Sequence, residues 1–201
     1  MASVPVRKIQ IAGGASFTDT AVWCEPPYIF KTISAVTLAW PAVATAEAHG
    51  IPAGVVIPVW IKNARGLTII NTTEDAPLFA ERLTADTLRL LNFNTGGQSA
   101  YVANSATLAY QAPRVLTGYT ARGPFRKSGV TGTILATPTY TITEALGKIV
   151  LTMTPTQTRA LLDSGTSPTA GIAHVELVSG SDVYRPWDYA WTCSPEATVE
   201  A

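Results

Sequence analysis

The sequence predicts an all-β protein made of two β modules, the second interrupting the first, with one short helical turn. Three observations predict it. The 201 residues break into short alternating apolar runs, each closed by Gly, Pro or Asn. The stretch Gly147 to Leu162, G-K-I-V-L-T-M-T-P-T-Q-T-R-A-L-L, reads as a buried strand running into a capped turn. Finally, the texture of the chain changes at Ile33 and its first style resumes after Ala112-Pro113.

Composition narrows the functional classes. Hydrophobic residues make up 47% and charged residues 14%, against about a quarter charged in an ordinary soluble protein. A surface so poor in charge fits a protein that lies against neighbours, or a Thr- and Ser-solvated β protein. Fourteen Lys plus Arg balance fourteen Asp plus Glu, so no basic field is present for nucleic acid or a membrane surface. No apolar run approaches the ~18 residues that span a bilayer. The N-terminal M-A-S-V-P-V-R-K-I-Q lacks a signal-peptide core, so a cytosolically folded product is expected. Cys24 and Cys193 are expected as free buried thiols in preference to a disulfide, and are too few for a metal site.

Taken in order, residues 6 to 24 are expected as two strands around Gly13-Gly14, with Phe17, Ala21 and Trp23 on one face. Glu25-Pro26-Pro27 should stop the second, because proline cannot donate to a ladder. I-S-A-V-T-L-A-W is a strand ended by Pro41, and turns follow at His49-Gly50 and at Pro52 to Gly54. V-V-I-P-V-W-I-K is a strand whose Pro58 predicts an edge or a bulge. A-P-L-F-A-E-R-L is read as strand and turn, and T-L-R-L-L-N-F as strand. A-Y-V-A-N and A-T-L-A-Y-Q are read as closing pieces. Six or so short strands over about 80 residues predict a small barrel.

Beyond Pro113, L-T-G-Y-T-A-R-G-P-F-R is a strand, Ser128 to Gly132 a loop, and T-I-L-A-T-P-T-Y-T-I-T a half-exposed strand. In the Gly147 stretch, Ile149, Leu151 and Met153 alternate inward. Thr154, Pro155 and Gln157 then satisfy the N-cap, first-turn and capping-box positions of a helix. G-I-A-H-V-E-L-V points Ala173, Val175 and Leu177 inward, and His174 and Glu176 outward as a solvated pair. After a Gly180 to Asp182 turn, the last strand carries Trp187, Tyr189, Trp191 and Cys193 on one face.

Catalytic residues are not expected. His49 lies in an H-G turn, no G-x-S-x-G elbow is present, and N-T-G-G-Q-S lacks the G-K-[ST] ending of a phosphate loop. Asp163, Asp182 and Asp188 are too scattered for a calcium loop, so neither a metal nor a cofactor is expected. Trp60, Trp187, Tyr189 and Trp191 form the candidate interaction surface, as a sugar-stacking platform if they face solvent. A row of aromatics at strand period more often fills a sandwich core.

Two parts of the chain resemble modules of tailed-bacteriophage virion proteins. G-A-S-F-T-D-T-A-V-W, L-T-G-Y-T-A-R, the Gly147 stretch and A-H-V-E-L-V-S-G-S-D-V-Y-R-P-W-D-Y-A-W together resemble the N-terminal sandwich of upper-baseplate proteins. Pro186-Trp187-Asp188 departs from the family's small residue and glycine before the final strand. The middle is similar to an FCCH-like small β-barrel, named after a domain in ubiquitin-activating enzymes. Its matching runs are V-A-T-A-E-A-H-G-I-P-A-G, P-V-W-I-K-N-A-R-G-L-T-I-I-N, T-A-D-T-L-R-L and S-A-Y-V.

The resemblance implies an immunoglobulin-like β-sandwich at 1–31 and 113–201, interrupted by a small barrel at 32–112. It also implies a non-enzymatic neck, tail, baseplate or head-decoration protein of the virion, folded in the host cytoplasm. Its partners would be other virion proteins and copies of itself, with no nucleic acid and no membrane. A receptor- or carbohydrate-binding module on the virion surface is the alternative.

Overall fold

A computed structural model describes residues 6–127, 131–167 and 169–195. The alternating runs become strands β1 (Val6–Gly13), β2 (Phe17–Val22), β3 (Cys24–Ile33), β4 (Ala35–Val36), β5 (Ala42–Thr45), β6 (Val56–Lys62), β7 (Leu78–Arg82), β8 (Thr87–Leu90) and β9 (Ala106–Pro113). They continue as β10 (Thr120–Arg122), β11 (Phe125–Arg126), β12 (Ile134–Ala136), β13 (Thr139–Thr143), β14 (Lys148–Met153), β15 (Thr169–Ser179) and β16 (Asp182–Pro195). The α-helix among the described residues is α1, Pro155–Arg159, and no helix there is long and apolar enough to cross a membrane. The chain is therefore all-β: a sandwich interrupted by a curled, barrel-like sheet. It divides into two units, Met1–Ala21 with Leu116–Ala201, and Val22–Val115.

In the first unit, one sheet runs β1-β16-β15-β11-β12, with β10 also on β15, and the other runs β13-β14-β2. The β1–β16 pair is parallel. Although consecutive, β1 and β2 are not a hairpin, because the chain changes sheets at Gly13-Gly14. Gly13 is required there, since a Cβ at this position would lie 2.7 Å from Leu162. The run 133–143, read as one strand, changes sheets in the same way. Pro138 interrupts the ladder, so β12 joins the first sheet and β13 the second. Gly123-Pro124 likewise separates β10 from β11. Ser128 to Gly132, expected as a loop, lies partly outside the described residues.

Between these sheets lie the inward rows that alternation predicts. Ile149, Leu151 and Met153 come from β14, Ala173, Val175 and Leu177 from β15, and Trp187, Tyr189, Trp191 and Cys193 from β16. Phe125 stacks on Tyr189 at 6.3 Å and lies 5.9 Å from Trp191. Helix α1 carries the predicted cap: the Thr154 side chain accepts from the Gln157 amide, and the Gln157 side chain accepts from the Thr154 amide. Its Thr158 hydroxyl accepts from Gly14 and donates to the Ala15 carbonyl, which fastens the β1–β2 corner.

The second unit is a seven-stranded sheet, β3-β9-β6-β7-β8-β5-β4. Ser34 alone separates β3 from β4, so one continuous segment supplies both ends of the sheet, and the sheet curls. Ile57, Val59 and Ile61 of β6, Leu88 and Leu90 of β8, and Leu108 and Tyr110 of β9 are buried inside the curl.

Four readings of this region are corrected. Residues 24–31, expected with the sandwich, belong to β3 and pair with β9 from Cys24↔Pro113 to Ile33↔Ala106. The units accordingly meet at Ala21/Val22 and Val115/Leu116. Pro26 and Pro27 do not end their strand; they are accommodated where the register shifts between Glu25 and Tyr28. Pro58 marks neither an edge strand nor a bulge: β6 lies between β9 and β7 and Pro58 pairs with Phe79 in unbroken register, but β9 joins β6 only from Val59, so Pro58 has a neighbouring strand on one side alone. Finally, 101–104 is a turn, with the Tyr101 hydroxyl donating to the Ile33 carbonyl and accepting from the Ala106 amide.

Candidate functional site

The four rings singled out from sequence do not form a platform. Trp60, Trp187, Tyr189 and Trp191 are all buried, none more than 5% exposed. In the first unit the reason is parity, because the row falls on the face of β16 that packs against the opposing sheet. Tyr189 also serves as a polar anchor, donating its hydroxyl to Asp19 at 2.6 Å. Burial, followed by that bond to Asp19, pushes its phenol well above the usual range.

Neither histidine meets a nucleophile. His49 is fully buried, its Nδ1 accepting from the Ile51 amide and its Nε2 lying 3.0 Å from the Thr84 carbonyl. Those partners fix the tautomer with the proton on Nε2. Burial lowers its pKa, and the ring serves the turn. His174 is not paired with Glu176 as expected. Its Nδ1 lies 2.8 Å from Asp188 across the hairpin, while Glu176 is bound by Arg122.

Cys24 and Cys193 are free, and Cys24 lies in the second unit while Cys193 lies in the first. Burial pushes the Cys24 thiol up to about 12 and raises Cys193 as well, so little thiolate forms at neutral pH. Among the described residues, no group of three or more His, Cys, Asp or Glu side chains could hold a metal. A depression of about 660 Å³ in the first unit is lined by Lys8, Gln10, Ala170 and Thr192, all exposed on the outer sheet face.

The feature that alternation did not reveal is the outer face of the seven-stranded sheet. In β3, Tyr28 and Phe30 point outward while Ile33 points inward. Register carries this face across the sheet, from Phe30 to Ala109 on β9 and Trp60 on β6, and from Pro58 on β6 to Phe79 on β7. Phe30 is 61% exposed, Phe79 48% and Tyr28 40%. Trp60 lies beneath them, edge-on to Tyr28 at 5.5 Å. Tyr28 donates to Glu74 at 2.7 Å, and that bond raises its pKa. Lys62 sits at one end of the face and the Glu81–Arg89 pair at the other.

Such a face can bury apolar area against another surface, and its Tyr28 hydroxyl and the Glu81–Arg89 pair already have partners. Sequence reading missed it because Tyr28-Ile29-Phe30 is apolar at every position, so no polar partner marks which side is wet.

No protein-family model matches the chain, and no curated protein matches it.

Proposed function

We propose that this chain is a non-enzymatic structural component of a tailed-phage virion. It would be an attachment or adaptor protein at the neck, tail or baseplate, or a head decoration, acting through multi-copy protein–protein contacts. The observation that carries the reading is the exposed apolar face of Tyr28, Phe30 and Phe79 around Trp60 on a surface low in charge. Single exposed apolar side chains are ordinary, but several on adjoining strands of one face are what a permanent interface uses. The resemblance of the outer segments to upper-baseplate sandwiches, and of the middle to a phage-borne small barrel, supplies the setting. Its partners are then portal or neck, tail or capsid proteins and copies of itself, and it folds in the host cytoplasm before assembly.

Incorporation of a Phe30→Ser/Phe79→Ser variant into particles tests this reading. Occupancy should drop at least about tenfold, as expected from two lost contacts of ~1 kcal/mol each, with no change in the melting of the free protein. Full occupancy of the variant, or absence of the wild-type chain from mature particles, would overturn it. Glycan-array binding that disappears in Tyr28→Ala would replace it with the receptor-binding reading.

A further inference from the structure

The edge of β3 that faces away from β9 is open, and its free backbone groups are arranged symmetrically about one residue. β3 lies at one end of the second unit's sheet, with β9 as its strand neighbour among the described residues. Along a strand, successive residues turn their N–H and C=O to opposite sides. Ile33 turns toward β9, where the Tyr101 hydroxyl bridges its carbonyl to the Ala106 amide. Ser34 turns the other way and donates its N–H to the Thr45 carbonyl of β5 at 2.9 Å. The β3–β9 register is unbroken from Tyr28 to Ile33. Tyr28, Phe30 and Thr32 therefore turn their backbone groups to the side that Ser34 uses. Among the described residues no strand or loop backbone meets them there.

An open edge of this kind is a template for another strand. We propose that its occupant is β3 of a second copy, paired antiparallel about a twofold axis at Phe30. In that register Phe30 meets Phe30 and Tyr28 meets Thr32. Every residue with outward backbone groups thus meets another, each pair exchanging two N–H···O bonds. Both ends of the window close at the same step. There Pro26, which has no N–H, meets Ser34, whose N–H Thr45 already accepts. The one charge between Tyr28 and Thr32 is Lys31, and it meets Ile29 instead of itself. Phe30, 61% exposed, gains an aromatic ring directly opposite, a favourable cross-strand pair.

A foreign strand requires neither a window closed at both ends by one pair of residues nor a lone charge set off the axis. A second copy requires both. The contact is isologous and small, of the class that forms at high concentration, so the dilute chain is single. It rests on the interface reading proposed above and identifies copies of the chain among the partners.

Sedimentation equilibrium of the full chain, from about 10 μM to about 1 mM, the range of a weak contact, tests the pairing. The average mass should rise from one chain toward two. Thr32→Pro deletes an N–H that points away from β9, so it should keep the parent's circular dichroism spectrum and stay single. Phe30→Lys and Phe30→Glu each set like charges face to face and should also stay single. Their equimolar mixture should recover a one-to-one pair, because residue 30 meets residue 30. The proposal is overturned if the parent remains single at the highest concentration, if folded Thr32→Pro pairs like the parent, or if the two charge variants do not pair when mixed. These readouts use the free protein, whereas the virion role is read from particles, so failure of one is distinguishable from failure of the other.

Discussion

Tyr189 on β16 donates its hydroxyl to Asp19 on β2 at 2.6 Å, joining the two sheets of the sandwich by one short bond. Arg7 of β1 completes the clasp, 3.2 Å from the same carboxylate oxygen and with its guanidinium 5.9 Å from the centre of the Tyr189 ring. Removing the phenol oxygen in Tyr189→Phe should cost about 1.5 kcal/mol, the worth of a hydrogen bond to a charged group. Asp19→Ala should cost more, about 2–3 kcal/mol, because it also strands the buried phenol and releases Arg7. Urea melts of the two variants check the order; equal stability of Asp19→Ala and the parent would show the clasp to be ornamental.

Burial sets how stability depends on alkaline pH. Tyr140 and Tyr189 both have phenols raised well above the usual range, chiefly by desolvation. In the unfolded chain they ionise near pH ~10, so above that pH the unfolded state has released protons that the folded state retains. Stability from these groups is fully present below pH ~10 and falls as pH rises toward the folded-state values. Melting temperatures from pH 8 upward should hold level and then fall steeply past pH ~10, with the tyrosinate absorbance of Tyr140 and Tyr189, read as the difference from their Phe variants, appearing together with unfolding. Tyr140→Phe should blunt the fall. A phenolate signal that rises in the still-folded protein and is lost in Tyr140→Phe or Tyr189→Phe would contradict the assignment.

Gly171 is the tightest backbone approach in the first sheet. A Cβ there would lie 2.0 Å from the Arg126 carbonyl oxygen and 2.5 Å from the Trp191 ring. Neither the β11 backbone nor a fully buried indole can withdraw cheaply. Gly171→Ala should therefore cost about 3 kcal/mol or more, whereas Gly97→Ala on an open turn should be limited to the strain of its positive φ. Thermal melts of the pair separate close packing from backbone strain.

What the sequence disclosed, and what it did not, follows from the range of each signal. The Gly147–Leu162 stretch was legible because its strand period and capping box are written within sixteen neighbouring residues. The inward faces of β15 and β16 were legible wherever apolar and polar residues alternate. Strand assignment to sheets was not, because β3 is placed by pairing with β9 some eighty residues away, and no local residue carries that information. The sheet changes at Gly13-Gly14 and Pro138 look in sequence like ordinary turns and breaks. The register shift between Val175 and Leu177 changes the parity of β16, so Arg185, whose Nε lies 2.7 Å from Asp188, could not be placed beside it by counting. The apolar outer face of the second unit was hidden for the same reason that it exists: Tyr28, Ile29 and Phe30 offer no contrast.

The ends of the second unit are tied to each other. Arg114 donates its backbone N–H to the Trp23 carbonyl at 2.8 Å, lays its guanidinium 4.5 Å from the Trp23 ring centre, and forms an ion pair with Glu25 at 2.5 Å. Beyond this clasp, β3 and β9 pair along their lengths, so the entry and exit of the insertion are neighbours within its own sheet. A segment closed in this way carries its own core and needs no outside strand to complete its hydrogen bonding. Residues 22–115 expressed alone should therefore melt cooperatively with a strand-type circular dichroism spectrum. Arg114→Ala in that fragment should lower stability by about 1–2 kcal/mol through loss of the cation–π and ion-pair contacts. A fragment that binds hydrophobic dyes and melts without a transition would show instead that Val22–Val115 depends on the rest of the chain, and the clasp would then be a consequence of the fold and not a means of closing it.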